Sequence, residues 1–150
     1  MTWRWYDWSE LDADTLYAFL RLRSDIFVVE QNCAYSDMDG LDPQCRHLCG
    51  FDTGGGLHAY LRLLPPGLKN AHPAIGRLVV SAAARGSGLG RRIMEEGLRE
   101  CARRHLQAPV FLSGQQHLQR FYESLGFRTI SAPYLEDGIP HVDMLRATAG

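Results

Sequence analysis

A chain of 150 residues with a formal charge of −1 has the size of one domain, and residues 1–150 are expected to form it. Sixteen basic and seventeen acidic side chains create no field toward nucleic acid or membrane, and no run approaches the ~20 apolar residues that span a bilayer. A composition 45% hydrophobic and 10% aromatic excludes disorder and is enough for a core without disulfide or metal staples. Fifteen of the sixteen basic residues are arginine, and Lys69 is the only lysine.

Taken in chain order, Trp3 to Asp7 reads as a first strand, with no apolar run like that of an export signal before it. Without such a signal, Cys33, Cys45, Cys49 and Cys101 are expected to be free thiols in a reducing cytoplasm. Asp12 or Asp14 caps a helix in which Leu16, Phe19, Leu20, Arg23 and Phe27 recur at helical spacing. The turn cluster from Ser36 to Gly40 follows. Its carboxylates, Asp37, Asp39 and nearby Asp42, either attract a cationic partner or serve as turn and capping groups. Two strands, His47 to Asp52 and Leu57 to Leu64, flank three glycines and form a hairpin. Cys45, His47 and Cys49 have metal-like spacing, but on a strand the outer two stand about 13 Å apart, too far for one tetrahedral ion.

The run Ala74 to Val80 is almost continuously apolar, as in the middle of a sheet. After a small-residue loop, Leu89, Ile93, Gly97, Leu98 and Cys101 line one face of a helix whose other face carries alternating Arg and Glu. Val110 to Leu112 is a short buried strand, and Gln116 to Leu125 a second amphipathic helix closed by Gly126. Phe127 to Ile130 and His141 to Leu145 are the last strands, joined by the turn from Glu136 to Pro140. Hairpins at both ends and a strand–helix–strand crossover between them make an α/β (α+β) domain.

The segment Arg85-Gly-Ser-Gly-Leu-Gly90, between a buried strand and a helix start, is placed to bind an anion with backbone N–H groups. It is not a P-loop, since no lysine is near. Nor is it a dinucleotide fingerprint, because its third glycine comes one position early. Arg85, Gly88 and Gly90 instead fit R-x-x-G-x-G, which resembles the acetyl-CoA pyrophosphate loop of the GNAT N-acetyltransferases. Gln115 and the run Phe121-Tyr122…Gly126-Phe127 resemble that family's second element. The segments Phe27 to Gln31, Tyr35 to Gly40, Arg46-His47 and Glu136 to His141 are similar to its ElaA-type branch.

The resemblance implies a mixed, mostly antiparallel sheet of six or seven strands, flanked by helices and splayed between its fourth and fifth members. It implies a cytoplasmic acyltransferase that moves an acetyl group from acetyl-CoA to a primary amine in a ternary complex, without a metal. The backbone of Arg85, Gly86, Ser87, Gly88, Leu89 and Gly90 would then hold the pyrophosphate, with charge added by Arg91. Leu78, Val79 and Val80 would offer unpaired main-chain groups to the pantetheine and thioester, with Gln115 and Phe121 nearby. Tyr122 would be the general acid, and Gln115 stands where the family often has Asn. The general base is open among Glu30, His47 and His141, while His117 faces solvent on its helix and His72 and His105 are bystanders. An acyl-CoA sensor without turnover is the alternative. The acceptor is a small molecule or peptide amine, and the chain a monomer or homodimer.

Overall fold

The computed structural model describes residues 1–147. Eight strands form one sheet: β1 (Thr2–Asp7), β2 (Arg46–Phe51), β3 (Leu57–Leu64), β4 (Ala74–Val80), β5 (Val110–Gln115), β6 (Phe127–Thr129), β7 (Tyr134–Glu136) and β8 (Ile139–Arg146). The spatial order is β1-β2-β3-β4-β5-β8-β6, with β7 also paired to β8. Every pair is antiparallel except β4 with β5. The eighth strand arises because the expected turn from Glu136 to Pro140 is a hairpin, β7 pairing with β8 around Asp137 and Gly138, both at positive φ.

The alternation in β3 places Ala59, Leu61 and Leu63 on one face and Tyr60 and Arg62 on the other. The first set packs under α2 (Leu89–Arg104), where Ile93, Met94 and Cys101 are buried. A Cβ on Gly97 would come within 3.0 Å of Leu61, so the glycine lets the helix settle onto the sheet. Tyr60 packs under α1 (Ala13–Arg23), stacked on Phe19 with centroids 4.5 Å apart. Asp12 caps α1 by accepting from the Thr15 N–H at 2.7 Å. The chain then continues through a π-helical segment, Ser24–Glu30, which carries Ile26, Phe27 and Glu30 to the mouth of a cleft. The expected second helix begins as a 3-10 turn, Gln116–Leu118, before α3 (Gln119–Glu123).

On the α1 side the acidic segment does more than cap turns: its carboxylates pair with arginines, and Asp39 also borders a cleft. Arg23 donates to Asp37 and Asp42 at 2.9 Å each, Arg62 bonds Asp39 and Asp42, and Arg77 pairs with Asp37 and Asp39. Three arginines thus neutralise three aspartates, and Arg23 and Arg62 are almost completely buried. Burial would raise the Asp42 carboxyl, but the hydrogen bonds and charge of Arg23 and Arg62 outweigh it and hold it below the usual carboxylate range. All four cysteines are free thiols, and burial pushes Cys45 up to about 11 and Cys49 to about 12. Among the described residues no helix is long and apolar enough to cross a membrane.

Candidate active site

The parallel strands β4 and β5 bridge once, at Ala74 and Phe111, and then diverge. The cause lies in β4. Between the pairs Tyr60–Val79 and Arg62–Gly76, two residues of β4, Arg77 and Leu78, oppose one of β3. Arg77 has φ +53°, a conformation costing a non-glycine residue about 1–3 kcal/mol. Its guanidinium is fixed 2.9 Å from the Asp37 carboxylate and donates to the Asp37 carbonyl, so the bulge is anchored from outside the strand. The bulged β4 bends away from β5 and opens a cleft of about 750 Å³.

At one end of this cleft lies the loop before α2. Gly86 and Gly88 are left-handed, with φ +79° and +76°, where a side chain would be strained. Gly88 is the N-cap, and no side chain caps the helix. Among the described residues the N–H groups of Leu89, Gly90 and Arg91 have no acceptor, so the positive end of a 16-residue helix faces outward. Gly90 lies at the cleft wall, its Cβ position 3.8 Å from Val80 and 3.9 Å from Phe121.

Tyr122 occupies the middle. Its ring lies on Gly114 of β5, where a Cβ would come within 2.8 Å of it. The Tyr122 hydroxyl makes no hydrogen bond to the described residues, and burial pushes its pKa up to about 12. Phe121 packs against it with centroids 5.3 Å apart. Gln115 pairs side chain to side chain with Gln31, bridging β5 to the end of the π-helical segment.

The candidate residues separate clearly by place. Leu78, Val79, Val80, Arg85, Gly90, Gln115, Phe121, Tyr122, Glu30 and His141 all line the cleft. Gly86, Ser87 and Gly88 form the exposed loop at its mouth, and Leu89 is buried in the core beneath. Arg91 turns away to Glu95 and to the Ser124 hydroxyl. Glu30 reaches across to Arg85, with both oxygens 2.6–2.7 Å from guanidinium nitrogens; the Arg85 hydrogen bond lowers its pKa and weakens it as a base.

His47, expected as a candidate base, is not in the cleft. It is fully buried between Phe19 and Trp8, with Nδ1 2.6 Å from the Tyr60 hydroxyl and Nε2 2.9 Å from the Asp42 carbonyl. Burial lowers its pKa and keeps the ring neutral. Its register on β2, opposite Arg62 of β3, puts it on the inner α1 face. His117, expected to face solvent, is exposed but also borders the cleft. Not anticipated were Ser113, Tyr35, Glu136 and Asp137, which join the lining, and Gly114, which seats Tyr122. A glycine two residues past the apolar run Val110 to Leu112 was the one sequence signal for that close approach.

Residues 66–147 match the acetyltransferase (GNAT) domain family. The chain belongs to the GNAT acetyltransferases. Within them it falls in the ElaA-type branch: it is 43% identical to the protein ElaA of Escherichia coli K12 over 146 residues, covering 96% of this chain and 95% of ElaA. The E. coli ElaA crystal structure superposes with a TM-score of 0.90 at 42% identity, covering 97% and 98% of the two chains. An acyl-CoA N-acyltransferase from Pseudomonas aeruginosa superposes with a TM-score of 0.92 at 46% identity, covering 97% and 99%. A more distant structure, an aminoglycoside 6'-N-acetyltransferase complexed with coenzyme A, shares the fold at 16% identity with a TM-score of 0.73, covering 98% and 97%. The GNAT chain is an acyltransferase.

Proposed function

We propose that this GNAT enzyme transfers an acetyl group from acetyl-CoA to a primary amine by direct attack in a ternary complex. One observation carries the proposal: two strand edges diverge from a single bridge, leaving their main-chain groups open to a ligand, with an uncapped helix N-terminus at the mouth of the cleft. Buried backbone groups require partners, and an extended acyl-pantetheine arm is of the right chemistry to supply them. The aminoglycoside acetyltransferase of the same fold is itself a coenzyme A complex, which supports the cofactor assignment.

Acetyl-CoA contributes an activated acyl group and a thiol leaving group. The chain's own residues do the rest. The left-handed glycines and the N–H groups of Leu89, Gly90 and Arg91 suit a pyrophosphate, and nothing in the loop presents a side chain that would block one. The edge of β4 from Leu78 to Val80 offers N–H groups to a developing oxyanion. Tyr122, with its proton held to about 12, stays protonated at neutral pH and can donate to a group lodged between the strands. A module that only sensed acyl-CoA would have no use for such a donor.

Thiol release from acetyl-CoA, followed with a panel of amines, tests the proposal. Tyr122→Phe is expected to lower kcat by about 10²–10⁴-fold while leaving acetyl-CoA affinity unchanged. An unaltered kcat would remove Tyr122 from the chemistry. Acetyl-CoA binding without thiol release for any amine would favour the sensor.

A further inference from the structure

We propose that the acceptor arrives as an ammonium ion, that Glu136 receives it, and that Nε2 of His141 takes its proton; this assignment rests on the acetyl-transfer function proposed above. Charge pairing inside the cleft is the first support. Three arginines and Lys69 line it, and each arginine has a carboxylate partner: Arg62 with Asp39 and Asp42, Arg77 with Asp37 and Asp39, Arg85 with Glu30. Glu136 and Asp137, at the opposite wall, have no Arg or Lys partner among the described residues. The arginines are thus engaged elsewhere, the carboxylates of the β7–β8 hairpin carry no Arg or Lys partner, and a cation complements them.

The second, independent support is His141 itself. The residue is only 9% exposed, lines the cleft, and sits at the start of β8 opposite Gln115. Its Nδ1 lies 2.7 Å from the Ile139 carbonyl. A carbonyl can only accept, so Nδ1 carries a hydrogen, and in the neutral ring Nε2 keeps the lone pair. That nitrogen makes no hydrogen bond within the protein and stands 3.4 Å from the Glu136 carboxylate. An ammonium held by Glu136 is thereby presented to a basic nitrogen.

The surroundings hold the ring in place. Tyr134 stacks on His141 with centroids 6.1 Å apart, and the Tyr134 hydroxyl donates to Asp143 at 2.6 Å and contacts Ser113. The Cys33 thiol donates to the Asp137 carbonyl at 3.0 Å, tying the hairpin tip to the wall beyond α1. Of the other candidate bases, Glu30 is occupied by Arg85 and His47 is sealed in the α1 core.

The step balances. One N–H bond of the ammonium breaks, and its proton goes to Nε2 and later to solvent. The freed lone pair forms the C–N bond as the C–S bond breaks. A second N–H proton is lost as the amide forms, matching the proton that Tyr122 gives to sulfur. The net products are the amide, the free thiol and one proton.

Nitrogen-15 histidine NMR on the free protein reads the tautomer without any turnover. Neutral His141 is expected to carry its hydrogen on Nδ1, and an Nε2–H tautomer would overturn the proposal. Steady-state kinetics then compare butylamine, a cation at neutral pH, with hydroxylamine, which is uncharged. Glu136→Gln should raise KM for butylamine about tenfold or more, the loss of one charge-assisted hydrogen bond, and leave hydroxylamine within about twofold. Equal effects on both acceptors would refute recognition of charge. His141→Ala should lower kcat about 10²-fold or more with butylamine, with partial recovery on adding imidazole. A full loss that imidazole does not restore would make His141 structural. Failure of the wild-type enzyme with every amine would strike the transfer function instead, while the NMR result still stands on its own.

Discussion

Two groups of charged and polar side chains are treated in opposite ways. Beneath α1, Arg23, Arg62, Asp37 and Asp42 are buried and joined by the more exposed Arg77 and Asp39, each carboxylate pairing with two guanidinium groups. In the cleft, the Tyr122 hydroxyl, His141 Nε2, Glu136 and the first N–H groups of α2 are left without strong partners. Desolvating a charge is expensive, so the buried network persists only because its members satisfy one another. The cleft groups face a ligand-sized space that can do the same for them. Mutual charge pairing marks the framework behind the bulge in β4, and the cleft holds the polar groups that the proposed reaction would use.

This contrast can be broken most severely from the framework side. Arg23→Met should cost about 3–5 kcal/mol in urea unfolding, because Asp37 and Asp42 stay buried with a partner missing. The exposed pair Glu30–Arg85 has the same chemistry, yet Glu30→Gln should leave the unfolding midpoint unchanged. Equal losses would erase the distinction between the two regions. Gly114→Ala tests the join between them: a new Cβ 2.8 Å from the Tyr122 ring must push that ring aside, costing about 1–3 kcal/mol and lowering kcat more than acetyl-CoA affinity.

The smallest effect is pH-dependent. The folded pKa of His47 lies below the unfolded value, so between the two the unfolded chain binds the extra proton and stability falls as pH falls. Melting temperature should therefore drop on acidification below the ordinary histidine value of about 6.5. His105, also lowered by burial, adds to the same window, and His47→Phe should flatten most of the slope. Asp39 and Asp42, held low by their arginines, begin to withdraw support only below about 3.8, again as pH falls.

What could be read in the sequence is what is local. The apolar run of β4, the R-x-x-G-x-G loop, the amphipathic α2 and the Phe121-Tyr122 pair each sit within one element and announce themselves by spacing. The splay between the fourth and fifth strands followed from the family resemblance rather than from any pattern in β4. The charge network was not legible, since Arg23, Arg62 and Arg77 meet Asp37, Asp39 and Asp42 across 14 to 40 positions and from four segments. For the same reason the acidic segment looked like turn chemistry or a binding patch. His47 looked reactive because its type and strand were known but its burial was not. Tyr134 to Glu136 is too short a strand to show a period, so Glu136 was seen as part of a turn and of a family-like segment, not as a strand end or a site residue.

The lone bridge between Ala74 and Phe111 has a consequence for the whole sheet. Strands β1 to β4 on one side, and β5, β8, β6 and β7 on the other, share almost no main-chain hydrogen bonding of their own. Whatever fills the wedge and bonds to both edges acts as a keystone, completing a sheet that the polypeptide leaves unfinished. Mechanical cohesion and substrate supply then become one variable: each tenfold rise in such a ligand above its Kd adds about 1.4 kcal/mol to folding stability. The acyl donor would be a structural member of the protein for as long as it remains bound.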